Sequence, residues 1–186
     1  AVRNTRASPR GSPHVKAFGF LSFGHYGNGD PRNGPDAKGM LKDALDIARG
    51  ADELGVNGAY FRVHHFARQA AAPVPLLAAI AGSTKHIEVG TGVIDMRYEN
   101  PLHLAEELAA LDLLSDQRIA IGISRGSPEP AQRGWETFGY TGSTDPRGAD
   151  LARDKFDLFL RAIDGERLAD ADPRQFGPGQ KLRVEP

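Results

Sequence analysis

The sequence predicts an α/β fold built on a parallel sheet, and three observations carry that prediction. Four short apolar segments show little polar alternation, the pattern of parallel strands covered on both faces. Segments of helical spacing separate and follow them, so the order is β-α-β-α-β-α-β-α with no linker inside it. The composition is that of an ordinary globular domain: 186 residues, 40% hydrophobic, 25% charged, net charge -1.

Residues 1–16 hold Arg3, Arg6, Arg10 and Lys16, no acidic residue and no apolar period, and are expected to form a flexible basic tail. The first strand is expected over Ala17 to Phe23 (AFGFLSF). Leu41, Ala44, Leu45, Ala48, Ala51 and Leu54 then follow helical spacing, and Gly55 marks the stop. The second strand covers Gly58 to Val63 (GAYFRV), and a helix with prolines in its first turn runs from Pro73 to Ala81. Ile87 to Ile94 (IEVGTGVI) is the third strand. Asn100 and Pro101 open a helix marked by Leu104, Leu108, Leu111 and Leu114; Asn caps it and Pro suits its first turn. The fourth strand spans Arg118 to Ser124 (RIAIGIS), and Ala152, Phe156, Phe159, Leu160 and Ile163 form the last helix, closed by Gly165.

Composition excludes several functions. Lys+Arg 23 against Asp+Glu 24 provides no bulk attraction to nucleic acid or an anionic membrane, so neither partner is expected. Zero cysteines remove disulfides, thiolate metal sites and thiol nucleophiles, and suit a cytoplasmic location. No apolar run reaches the roughly 18–20 residues that span a bilayer.

Two architectures compete for the βα order. A doubly wound dinucleotide fold expects G-x-G-x-x-G after the first strand, and Gly24 to Gly39 (GHYGNGDPRNGPDAKG) lacks it. A (β/α) barrel of TIM type expects functional residues at the carboxyl ends of its strands. Those ends offer His25 and Tyr26, then His64, His65 and Phe66, then Asp95, Met96 and Arg97, then Arg125. His64 and His65 are candidate proton-handling residues, because imidazole titrates near neutrality. Adjacent residues on an extended segment point to opposite sides, so one faces the rim and the other packs elsewhere. That argues against joint metal ligation, and no metal is expected.

The run YFRVHHFARQAAAPVPLLAAIA (Tyr60 to Ala81), with IEVGTGV from Ile87, NPLHLAEELAALDLLS from Asn100 and RIAIGISRGSPEP from Arg118, resembles bacterial luciferase-like monooxygenases, which are flavin-dependent (β/α)8 barrels. The resemblance covers the chain from Lys16 onward. It implies that His64, with His65, corresponds to the family's catalytic histidine pair, although Val63 stands where the family's Glu-His-His-Phe has its Glu. It also implies that Gly90, Thr91, Gly92 and Val93 lie against the flavin ring, often through a bulge or a cis peptide, and that Arg125 meets the flavin phosphate. His25, Tyr26 and Met96 are the candidate substrate-pocket residues.

By the same resemblance the cofactor is FMN, reduced externally by a flavin reductase, with O2 and a small organic molecule as substrates. F420 is the alternative cofactor, although relatives that use it more often resemble Ser/Asp-His-Phe at the second strand. The helices at Pro75 to Ala81 and Leu104 to Leu114 resemble those through which such enzymes form a homodimer. A complete barrel takes roughly 250 residues, so residues 17–186 are expected to be the amino-terminal half of one, about four βα units. A non-catalytic half-barrel that assembles with itself or a second chain is the alternative of another class.

Overall fold

A computed structural model of the chain describes residues 16–126 and 129–186. The tail expected over residues 1–16 therefore lies, except for Lys16, outside the described residues. Four strands, β1 (Gly19–Ser22), β2 (Gly58–Phe61), β3 (Glu88–Asp95) and β4 (Ile119–Ser124), form one parallel sheet in the order β1-β2-β3-β4. The helices α1 (Ala37–Glu53), α2 (Pro73–Ala81) and α3 (Pro101–Leu114) connect them in turn; a short α4 (Gly134–Thr137) and α5 (Ala149–Ile163) follow β4.

Local chemistry explains the helix boundaries. Asp36 caps α1 by accepting from the Gly39 amide at 2.7 Å, and Asn100 caps α3 by accepting from the amides of Leu102 and His103. Prolines stand in the first turns of α2 and α3, where no intrahelical N–H is needed. In α1 the buried row is Met40, Ala44 and Ala48; Leu41 and Leu54 of the expected apolar stripe are exposed at its flanks.

The expectation that the strands are covered on both faces is met on one face only. Ala59, Phe61, Ile87, Val89 and Ile94 pack into the main core beneath the helices. The opposite face is floored by Gly19, Gly58 and Gly90, each in contact with the Tyr60 ring. Small residues on that face, in place of polar ones, explain why alternation is missing from the sequence.

At the amino-terminal ends of the strands two side chains fix the connections. Asp52 in α1 accepts from the amides of Lys85, His86 and Ile87 at 2.7–2.9 Å. Arg118 donates to the carbonyls of Ala81, Thr84, Ile87 and Ser115, tying the α2–β3 and α3–β4 turns together. Beyond α5 the tail, expected to approach the sheet as a further strand, instead makes a two-residue antiparallel pairing of β5 (Ala169–Asp170) with β6 (Lys181–Leu182). The edge of β4 opens onto an apolar groove of about 910 Å³ between α3, α5 and residues 183–186.

Candidate active site

The carboxyl ends of all four strands meet around one cleft of about 290 Å³, walled by Leu21, Phe23, Arg62, His64, Gly92, Val93, Ser124 and Glu129. Past β2 the chain stays extended, and the two imidazoles separate. His64 faces the cleft, where its Nε2 lies 2.8 Å from Arg62 Nη2. His65 stacks on Tyr98 with ring centroids 4.2 Å apart and meets the Phe138 ring edge-on. Burial holds both imidazoles below their ordinary pKa; the Arg62 charge adds to this at His64, and Asp95 opposes it at both. Both rings are therefore neutral at pH 7.

The end of β3 is irregular. The register against β4 shifts between Thr91 and Ile94, the Gly92–Val93 peptide is cis, and Val93 is exposed towards the cleft. Thr91 anchors this bulge, its hydroxyl donating to the Gly122 carbonyl at 2.9 Å and accepting from the Gly122 amide. A bare backbone at Gly92 admits the Leu21 side chain, which would stand 2.8 Å from any Cβ there.

Directly after β3, Asp95 caps a single 3₁₀ turn over residues 96–98. Its carboxylate takes a forked ion pair from Arg97, with Nε to Oδ1 at 2.9 Å and Nη2 to Oδ2 at 2.5 Å. Arg97 also lies 4.6 Å from the Trp135 ring centroid and donates to the Arg147 carbonyl. Lys155 of α5 donates to the Arg97 carbonyl at 2.8 Å. Burial brings this ammonium down to about 8, against the opposing charges of Glu99 and Asp95. Tyr98 OH donates to Glu129, whose carboxyl group burial pushes upward.

A second cleft, of about 610 Å³, adjoins the first and is lined by Arg97, Arg125, Arg133, Arg147 and Trp135, with Glu129 and Asp145. Its donors suit a dianion such as a phosphate. Gly126 and Glu129 belong to both clefts.

The structure thus brings His64, Gly92 and Val93 to one cleft and Arg125 to the next. Thr91 is buried behind the bulge and Gly90 lies under Tyr60. The three expected substrate-pocket residues line neither cleft. His25 is exposed and hydrogen-bonded to the Gln69 side chain, and Tyr26 is half-buried against the core. Met96 is fully buried, because the bulge and the 3₁₀ turn aim it inward. Glu129, Tyr98, Trp135, Arg147 and Lys155 join the site without having been picked out as site residues. An acidic and a basic residue two apart, Asp95 and Arg97, was the one local signal of this network. Among the described residues no cluster of three or more His, Asp or Glu could hold a metal, and no helix is long and apolar enough to cross a membrane.

Comparison with known proteins adds an independent line. The profile of the luciferase-like monooxygenases matches residues 18–186. The oxygenase component of a flavin-dependent trigonelline monooxygenase from Acinetobacter baylyi is 34% identical over 92 residues, 48% of this chain and 26% of that protein. In fold the chain is similar to the oxygenating constituent of 3,6-diketocamphane monooxygenase from Pseudomonas putida, solved in complex with FMN, at a TM-score of 0.68 and 19% identity over 91% of this chain and 43% of that one. An F420-dependent secondary alcohol dehydrogenase solved with an F420-acetone adduct is also similar, at a TM-score of 0.61 and 16% identity over 90% of this chain and 47% of that one. The chain spans less than half the length of each of these proteins.

Proposed function

We propose, from the premise that the chain belongs to the luciferase-like monooxygenase family, that it forms the flavin-binding part of an FMN-dependent monooxygenase acting on a small organic substrate with O2. Reduced flavin delivered by a separate reductase, and a homodimeric assembly, are parts of the same proposal. The observation that carries it is the meeting of His64 with the bulged Gly92–Val93 backbone in one cleft beside the arginine-lined one. These residues fit FMN. The arginine cleft offers a donor set for a phosphate dianion, and the cleft next to it exposes backbone and the Val93 side chain to a flat ring.

Bound reduced flavin would supply the activation of O2. The chain's residues would do the rest. Arg125 and Arg147 would hold the phosphate, Arg97 being already engaged by Asp95. Val93 and Leu21 would exclude water from one side of the ring. His64, neutral and with Nε2 held by Arg62, would take or return a proton at the cleft wall.

The test is a titration of the chain with FMN, followed by quenching of Trp135 in the wall of the arginine cleft. Saturable binding is expected, weakened about tenfold or more in Arg125→Met, since a hydrogen bond to a charged group contributes about 1.5–3 kcal/mol. No saturation by FMN overturns the reading. Preferential binding of F420 replaces FMN by the deazaflavin.

A further inference from the structure

We propose that Glu129 is the positioning partner of His64: its carboxyl group faces the imidazole Nδ1, fixes which ring nitrogen carries the proton, and receives that proton when Nε2 becomes protonated from the cleft. The inference rests on His64 being the proton-handling residue proposed above.

The geometry fixes the tautomer. Arg62 Nη2 lies 2.8 Å from His64 Nε2, and a guanidinium only donates, so Nε2 keeps its lone pair and the neutral ring carries its proton on Nδ1. Glu129 Oε1 stands 3.7 Å from that nitrogen, with the two side chains 4% and 11% exposed. Nδ1 is buried and has no hydrogen-bond partner among the described residues. The gap exceeds hydrogen-bond length by roughly 0.5 Å, within reach of a small side-chain rotation. Val63, directly before the histidines, is apolar and buried, so β2 itself offers His64 no carboxylate.

Glu129 is held for this role from its other side. Tyr98 OH donates to Oε2, which leaves Oε1 turned towards His64. The charged groups that face the pair are Arg62, Asp95 and Arg97, with His65 and Tyr98 beside them. Burial lowers the imidazole's proton affinity, as does Arg62; burial raises that of the carboxyl group, Tyr98 opposes, and Asp95 adds to the rise. The two affinities are thereby drawn together, so passing a proton from Nδ1 to Oε1 requires little free energy. The step balances: Nε2 gains one proton, Nδ1 loses one, and Glu129 becomes the neutral acid.

The experiment is long-range ¹H–¹⁵N NMR of the imidazoles in the chain without added cofactor, with His64 assigned by loss of its signals in His64→Gln. The Nδ1-protonated tautomer is expected in the unaltered protein, a result that needs no variant. Glu129→Gln keeps the size and the acceptor for Tyr98, and in it the His64 titration midpoint should fall by about half a unit or more, because a negative neighbour that favours the imidazolium is gone. Glu129→Asp should restore at least part of the shift, whereas a purely structural role would leave the midpoint where it was. An Nε2-protonated ring, or an unchanged midpoint in Glu129→Gln, overturns the proposal. If FMN fails to bind while the His64 shift is present, the flavin reading falls and the pair stands.

Discussion

Replacing Arg97 by Met removes the guanidinium while keeping most of the apolar stem, and tests whether the turn after β3 is held by its ion pair. In the native chain Asp95 and Arg97 are each 5% exposed, and two guanidinium nitrogens grip both carboxylate oxygens at 2.5–3.1 Å. The variant leaves the Asp95 carboxylate buried with only the backbone amide of residue 97, at 3.1 Å, as a printed remaining donor. Breaking one side of a buried pair costs about 3–5 kcal/mol, and loss of the cation over Trp135 belongs within that range. Urea unfolding monitored by circular dichroism and by the fluorescence of Trp135, the chain's one tryptophan, measures it. Removing both charges in Asp95→Asn/Arg97→Met should be less harmful than the sum of the single changes by about 1–3 kcal/mol. An Arg97→Met loss below about 1 kcal/mol, or strict additivity in the cycle, would refute the reasoning.

Two further changes probe the neighbouring elements. Gly126 has φ +92, and a Cβ there would overlap the Arg97 guanidinium; Gly126→Ala should destabilise by at least about 1–2 kcal/mol from the backbone alone and weaken FMN binding along with it, checked by the same unfolding and titration. Burial pushes the Glu99 carboxyl up to about 7 from 4.5, with Glu107 adding and Lys155 opposing. The folded chain therefore keeps a proton that the unfolded chain releases, and stability falls as pH rises from 4.5 to 7. Glu99→Gln should remove up to about 3 kcal/mol of that fall, and unfolding curves at pH 5 and pH 7.5 with the same slope as the native chain would contradict the assignment.

The four parallel strands and the four long helices were legible because burial writes a period into the sequence, and each observed strand lies within a residue or two of its expected span. Legibility ended where no period exists. Residues 129–148 bring Glu129, Trp135 and Phe138 over the site through turns and the short α4, and the contacts that fix them are long-range: Tyr98 to Glu129, and Arg97 to Trp135 and to the Arg147 carbonyl. Met96 shows the converse error. Its position after a strand suggested the rim, but the shift in register between Thr91 and Ile94 changes which side each following residue takes, so Met96 goes to the core and Val93 to the cleft.

The two clefts constrain how a ligand would lie. They share Gly126 and Glu129, so the wall between them is the turn that leaves β4, and its positive φ at Gly126 is what lets the chain pass beneath the Arg97 guanidinium. A molecule with an anionic end in the arginine cleft must cross that turn to place a planar head against Val93, and in doing so its ring edge comes to the side on which His64 and Arg62 stand. A ligand short of either end would occupy one cleft only. Riboflavin, which has the ring without the phosphate, should therefore bind more weakly than FMN by the Arg125 contribution of about 1.5–3 kcal/mol, and that difference should vanish in Arg125→Met if this residue carries the phosphate contact.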